Sequence, residues 1–215
     1  MCPPPRRAER QEPSRQHLLT AAIDSFARLG YQGTSIDRIA RHAGVTKGAL
    51  YYHFRDKEEL LYEAVSGRID EFEQFVLAEV GPADDTFATL RRVIDACFFN
   101  ATVSNHRRFI ITLMIEALDT NPQLSAKFQR VLRRMRHFLA DVVRRGQERG
   151  VVRCDITPED TAAVIAGAIM GAEIQHYQDP GEVDLRRVLD TLVAQLADWL
   201  MPRPRQAVVT GGLTA

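Results

Sequence analysis

With 215 residues, 45% of them apolar and 26% charged, the chain has ordinary globular composition and enough length for a substantial core, which excludes a disordered or fibrous protein. Its 28 basic and 28 acidic residues cancel, so it is not a uniformly basic polyanion binder. The charge is nevertheless uneven: residues 1–55 hold nine Lys/Arg against four Asp/Glu, a net +5, and the remainder carries −5.

Three cysteines, Cys2, Cys97 and Cys154, are scattered without metal-ligand spacing. This sparse, odd set speaks for a reducing compartment and against a disulfide frame or structural zinc. The N-terminus lacks the apolar core of a secretory signal, and the longest near-apolar run, Ala162 to Ala172, falls short of the ~20 residues that span a bilayer. We expect a cytoplasmic protein with no membrane partner.

In chain order, residues 1–14 carry Pro3, Pro4, Pro5 and Pro13 among alternating charges, a composition that predicts a disordered basic tail. From Arg15 the pattern changes. Leu18, Leu19, Ala22, Ile23, Phe26 and Ala27 recur at three- and four-residue intervals, one stripe of one helix, which Gly30 is expected to end. Thr34 or Ser35 then caps a second helix, with Asp37 near its positive N-terminus and Ile36, Ile39, Ala40 and Ala43 on its buried side. Gly44 stops it, Val45 plugs the turn, and Thr46 caps a third helix of about two turns anchored by Ala49, Leu50 and Phe54. Two short helices joined by a Gly-containing turn have the sequence form of a helix-turn-helix, the second being the recognition helix.

The chemistry of that third helix suits DNA. Free N–H groups in its first turn favour an anion, Gly48 permits close backbone approach, and Lys47 can reach a phosphate or guanine O6/N7. Tyr51, Tyr52, His53 and Lys57 are assigned chiefly to the phosphate backbone, so the candidate DNA-binding set is Thr34, Ser35, Thr46, Lys47, Gly48, Tyr51, Tyr52, His53 and Lys57. The competing reading gives one tyrosine and His53 to packing, and gives Phe54 wholly to the core.

The segment TSIDRIARHAGVTKGALYYHFRDKEELL, from Thr34 to Leu61, resembles the N-terminal DNA-binding domain of the TetR family of bacterial transcriptional regulators. The close match covers about the first quarter of the chain. The resemblance implies an all-helical homodimer that reads a palindromic operator, usually represses, and is usually released by a small molecule.

The rest reads as further helices, about nine in total, in an all-α chain. Asp56 and Glu59 form a capping box for a helix from Lys57 to Val80, about 36 Å long at ~1.5 Å per residue, before Gly81-Pro82. Further helices are predicted from Phe87 to Val103, Arg107 to Leu118, Pro122 to Gly146 or Gly150, Pro158 to about Asp179, and Val183 to Met201. The expected organisation is a 15–56 helix-turn-helix domain, a 57–201 helical domain for ligand binding and dimerisation, and a disordered 202–215 tail.

Small residues at four-residue spacing, Ala163, Gly167 and Gly171, let another helix approach the eighth helix closely. Val164, Gly167, Ala168 and Gly171, with Leu189, Leu192, Val193 and Leu196 of the ninth, are the candidate dimer interface; the alternative is that these faces pack only within one subunit. Phe98, Phe109, Met114, Met135, Phe138 and Met170, with Glu116, Glu173 and His176, are candidate contacts for a small apolar or amphipathic effector. Glu173 and His176 form a single Glu-x-x-His pair, and a di-iron site needs two, so no metal and no cofactor is expected. No GxSxG, P-loop, GxGxxG or HExxH occurs, and the six histidines are dispersed, so no catalytic residue is assigned. The alternative to a DNA reader is a helical ligand-binding or protein-interaction module that does not regulate through DNA.

Overall fold

Nine α-helices and no strand make up the described residues of the chain, 14–80, 85–103 and 105–203, in a computed structural model. The helices are α1 (Arg15–Gly33), α2 (Ile36–His42), α3 (Lys47–His53), α4 (Lys57–Val80), α5 (Thr86–Val103), α6 (His106–Thr120), α7 (Pro122–Glu148), α8 (Pro158–Gln178) and α9 (Leu185–Leu200). The expected tails fall outside the described residues, except at Ser14, whose side chain accepts from the His17 amide and caps α1, and at Pro202 and Arg203.

Local chemistry accounts for most boundaries. Asp56, Asn121 and Asp184 each accept an amide three residues on, at 2.8 Å, 2.9 Å and 3.1 Å. Asp184 therefore starts α9 at Leu185 instead of Val183. Gly30 kinks α1 (φ 71°, ψ 170°) but does not end it, because a further helical turn runs to Gly33. Gly146 stays inside α7, and a Cβ there would lie within 2.5 Å of Val152 Cγ2 and 2.8 Å of Thr86 Oγ1, so this glycine is required by close packing.

The packing divides the described residues into two compact units, the first drawn from 14–74 and 100–129, the second from 75–99 and 130–203. This division differs from the expected 56/57 boundary because α4, α5 and α7 each supply residues to both units. In the first, Leu18, Phe26, Ile39, Leu50, Phe54 and Leu60 form a core against which α6 packs, with Phe109 stacked on Phe26 at 6.3 Å between ring centres. His106 Nε2 lies 2.6 Å from Asp24 Oδ1, tying the start of α6 to α1.

In the second unit Ile94, Leu139, Ile165, Leu189 and Leu200 are buried. Arg186 bonds Asp95 at 2.7 Å and Asp190 at 2.6 Å, while Arg91 reaches Asp190 at 3.0 Å and Asp95 at 3.1 Å. This four-residue network fastens α5 to α9. Arg186 also lies 4.9 Å from the centre of the Phe98 ring.

Candidate nucleic-acid interface

The α2–α3 pair is held from within by its apolar anchors and from its ends by caps. Ser35 Oγ accepts from the Arg38 amide at 3.3 Å, and Thr46 Oγ1 from the Ala49 amide at 3.2 Å. Between the helices Gly44 adopts φ 67°, a left-handed conformation that glycine enters without strain, and the Val45 amide returns to the Ala40 carbonyl at 2.9 Å. Leu50 and Phe54, 1% and 2% exposed, pin α3 to the core.

With those anchors inward, α3 turns two i, i+4 pairs outward: Lys47 with Tyr51, and Gly48 with Tyr52. Tyr51 is 49% and Tyr52 77% exposed. Tyr52 meets the half-buried His53 ring edge-on at 5.1 Å. Lys47 Nζ donates to Asp37 Oδ2 at 3.2 Å and sits 5.9 Å from the Tyr51 ring centre. Such an exposed ion pair is worth at most ~1 kcal/mol, so an incoming phosphate can displace the carboxylate.

Two members of the expected DNA-facing set point elsewhere. Thr34 is 2% exposed, and its hydroxyl donates to the carbonyls of Gly30 (2.7 Å) and Ser25 (3.2 Å). It closes the α1–α2 turn, and Ser35 alone is the cap. Lys57, expected on phosphate, donates to the carbonyls of Tyr31 (2.9 Å) and Thr34 (3.0 Å) because its long chain reaches back from the first turn of α4. Asp37, read only as a helix N-terminal acid, also holds Lys47.

Comparison with known proteins accords with this geometry. Residues 18–64 match the bacterial regulatory proteins, tetR family, and residues 82–192 match the tetracyclin repressor-like C-terminal domain. The chain belongs to the TetR family. As a TetR-family member it is a DNA-binding transcriptional regulator and not an enzyme. The HTH-type transcriptional regulator AcrR of Shigella flexneri is 24% identical over 210 residues, spanning 91% of this chain and 93% of that one. Among solved structures, a Saccharomonospora viridis protein in complex with choline superposes with a TM-score of 0.82 at 22% identity, over 90% of this chain and all of that one. The transcriptional regulator FadR of Bacillus subtilis, in complex with stearoyl-CoA, superposes with a TM-score of 0.74 at 19% identity, over 87% of this chain and all of that one. Both structures share the TetR fold. Among the described residues no helix is long and apolar enough to cross a membrane.

The remaining candidates of this TetR-family chain divide by burial and by unit. Phe109, Met114 and Glu116 lie in the first unit, where Phe109 is core against Phe26 and Glu116 is exposed on α6. Phe98, Met135, Phe138, Met170, Glu173 and His176 lie in the second. There Phe98, Met135, Phe138 and Met170 are half-buried and Glu173 is fully buried. His176 Nδ1 is 2.7 Å from the Val183 carbonyl, so its ring secures the α8–α9 loop. Among the described residues no group of three or more His, Cys, Asp or Glu is gathered as a metal site.

Of the candidate dimer residues, Leu189 (0% exposed) and Leu196 (4%) pack inside their own subunit and cannot reach a partner. Val164 and Gly167 are exposed, while Ala168, Gly171, Leu192 and Val193 are half-buried. Ala168, Ala172, Val188 and Leu192 line an open groove between α8 and α9.

Proposed function

We propose that this regulator binds a palindromic operator as a homodimer, inserting α3 of each protomer into successive major grooves, represses the adjacent genes, and is released by a small apolar or amphipathic effector. The observation that carries the DNA reading is Gly48. Nothing lies closer than 3.8 Å to a Cβ built there, so the fold itself does not demand a glycine. What it permits is close approach of a DNA strand to the backbone, at the first turn of a helix whose flanking Lys47, Tyr51 and Tyr52 are exposed and chemically matched to one.

In this reading residues 15–56 bind DNA and 57–201 bind the effector and the second protomer. Thr46 and Ser35 present helix N-termini to phosphates, Lys47 reaches a base edge or phosphate, and Tyr51, Tyr52 and His53 position the backbone. The outward groove between α8 and α9 supports a two-fold contact, and a two-fold dimer is what half-sites ~34 Å apart require. To the effector we assign the half-buried Phe98, Met135, Phe138 and Met170 and the buried Glu173, an apolar, adaptable set with one acidic group, all within the second unit. Choline and stearoyl-CoA, bound by the two structural relatives, each combine apolar surface with a charged group. A regulator of operator DNA works in the cytoplasm.

A gel shift with the DNA upstream of the protein's own gene tests the reading. Retarded migration at protein concentrations that leave an unrelated duplex free is expected. Equal retardation of both duplexes would overturn it.

A further inference from the structure

A second cationic feature stands beside the recognition helix, within the same compact unit. Arg28 of α1 and Arg38, Arg41 and His42 of α2, all exposed, surround a recess of about 330 Å³, completed by the buried Ser25 and the exposed Leu29. Among the described residues no carboxylate lines it.

This sets the cluster apart from many of the chain's other arginines. Arg15, Arg55, Arg68, Arg91, Arg144, Arg153 and Arg186 each pair with an Asp or Glu. Arg38 and Arg41 bond instead to main-chain carbonyls, those of Gly33 and Asp37, each at 3.4 Å. Such bonds orient a guanidinium without neutralising it. Ser25 Oγ gives its proton to the Ala21 carbonyl at 2.8 Å and so accepts from His42 Nδ1 at 3.3 Å, which steadies the ring at the edge of the recess. Three like charges gathered without a counter-ion repel one another, and an external anion relieves that cost. Guanidinium forks match phosphate in particular, through paired N–H donors.

Continuity with α3 decides which phosphate. Asp37 accepts from Lys47 through its carboxylate at 3.2 Å and from Arg41 through its carbonyl, so one turn of α2 joins the recognition helix to the recess. Lys47, with the Asp37 carboxylate beside it, and Arg38 and Arg41 of the recess thus stand on one continuous stretch of α2 and α3, and a phosphate that displaces Asp37 from Lys47 leaves cations on both sides of it. A single small anion would need only one point on that stretch; a DNA strand presents a row of charges that continues past the bases a recognition helix reads.

Resting on the reading of α3 as the DNA-reading helix, we propose that Arg28, Arg38 and Arg41 form a backbone clamp for phosphates of the same duplex outside the stretch read by α3. The clamp contributes affinity and register and no sequence preference.

The test compares the wild type with Arg28→Gln/Arg38→Gln/Arg41→Gln on two duplexes, the upstream DNA and a short duplex of arbitrary sequence, across a salt series. The glutamine variant should bind both more weakly by a common factor, and its slope of log affinity against log salt should fall by about one for each phosphate the arginines no longer hold. The corresponding Arg→Lys triple variant, which keeps the charge, should restore the slope, and without DNA the glutamine protein should melt no lower than the wild type, so its weaker binding is not loss of fold. Unchanged affinity and slope on both duplexes would overturn the clamp, and so would a loss confined to the upstream DNA. If duplex binding is unchanged while pyrophosphate raises the melting temperature of the wild type alone, the recess takes a free polyphosphate and the clamp is likewise overturned. A wild type that does not prefer its upstream DNA would count against the operator reading, whereas the arbitrary duplex still decides the clamp.

Discussion

Lys57 Nζ lies 2.9 Å from the Tyr31 carbonyl oxygen and 4.0 Å from the centre of the Tyr31 ring. The first turn of α4 thereby grips the C-terminal end of α1, and through the Thr34 carbonyl at 3.0 Å it also grips the residue before the α2 cap. Removing this group should act on the fold before it acts on DNA. Lys57→Met is expected to lower unfolding free energy by about 1–2 kcal/mol, the scale of losing charge-assisted bonds at a half-buried site. Urea denaturation checks this, and unchanged stability accompanied by weakened DNA binding would return Lys57 to the phosphate backbone.

Tyr31 offers a pH test of the same junction. Burial, with Glu58 and Asp56 nearby, holds its phenol above the ordinary value of 10.0. The folded state thus retains this proton more tightly than the unfolded chain does. The stabilisation is complete below pH 10.0 and is lost as pH rises through the folded value. Tyr31→Phe should flatten the alkaline decline in stability, and melts on either side of that pH report it; a parallel decline in both proteins would exclude the effect.

Asp37 restrains Lys47 at 3.2 Å in the free protein. Asp37→Asn releases that charge and removes a carboxylate from the approach of a phosphate strand, so affinity for duplexes of any sequence should rise at low salt. Lys47→Ala should do the reverse and flatten the salt dependence by about one unit of slope. Fluorescence anisotropy over a salt series measures both, and identical curves for wild type and Lys47→Ala would remove Lys47 from the interface.

In the proposed dimer the α8–α9 face separates association from folding. Val164, 56% exposed, should tolerate arginine in the monomer while blocking a two-fold contact, so Val164→Arg is expected to sediment as a monomer with its helicity intact. Leu189, fully buried, should behave differently: Leu189→Ala is expected to cost about 2–5 kcal/mol of stability through the cavity it leaves. A Val164→Arg protein that sediments like the wild type would move the interface elsewhere.

Gly146 tests the packing of the second unit. An added methyl would collide with Val152 and Thr86, and overpacking of this kind typically costs about 1–3 kcal/mol. Gly146→Ala should therefore melt earlier than Gly67→Ala, where a Cβ meets nothing within 4 Å. Equal melting temperatures would show that the contact relaxes without cost.

The sequence by itself determined the all-helical architecture, the caps at Thr46 and Asp56, and the inward anchors Leu50 and Phe54 of α3, while the choice between Thr34 and Ser35 as the α2 cap was left to the structure. These depend on interactions within one or two helical turns, where spacing and side-chain chemistry suffice. It also marked Lys47, Gly48, Tyr51, Tyr52 and His53 as one DNA-facing set, with packing left open for one tyrosine and His53; the structure exposes both tyrosines and half-buries His53. Only the tertiary structure decided that Thr34 turns inward, that Lys57 reaches carbonyls 26 and 23 residues back, and that Leu189 and Leu196 are consumed within their own subunit. It alone brought Arg28 of α1 beside Arg38 and Arg41 of α2. Each of these turns on where a side chain ends after two helices have packed, and a long, flexible or buried side chain carries no sign of that destination in its neighbours along the chain.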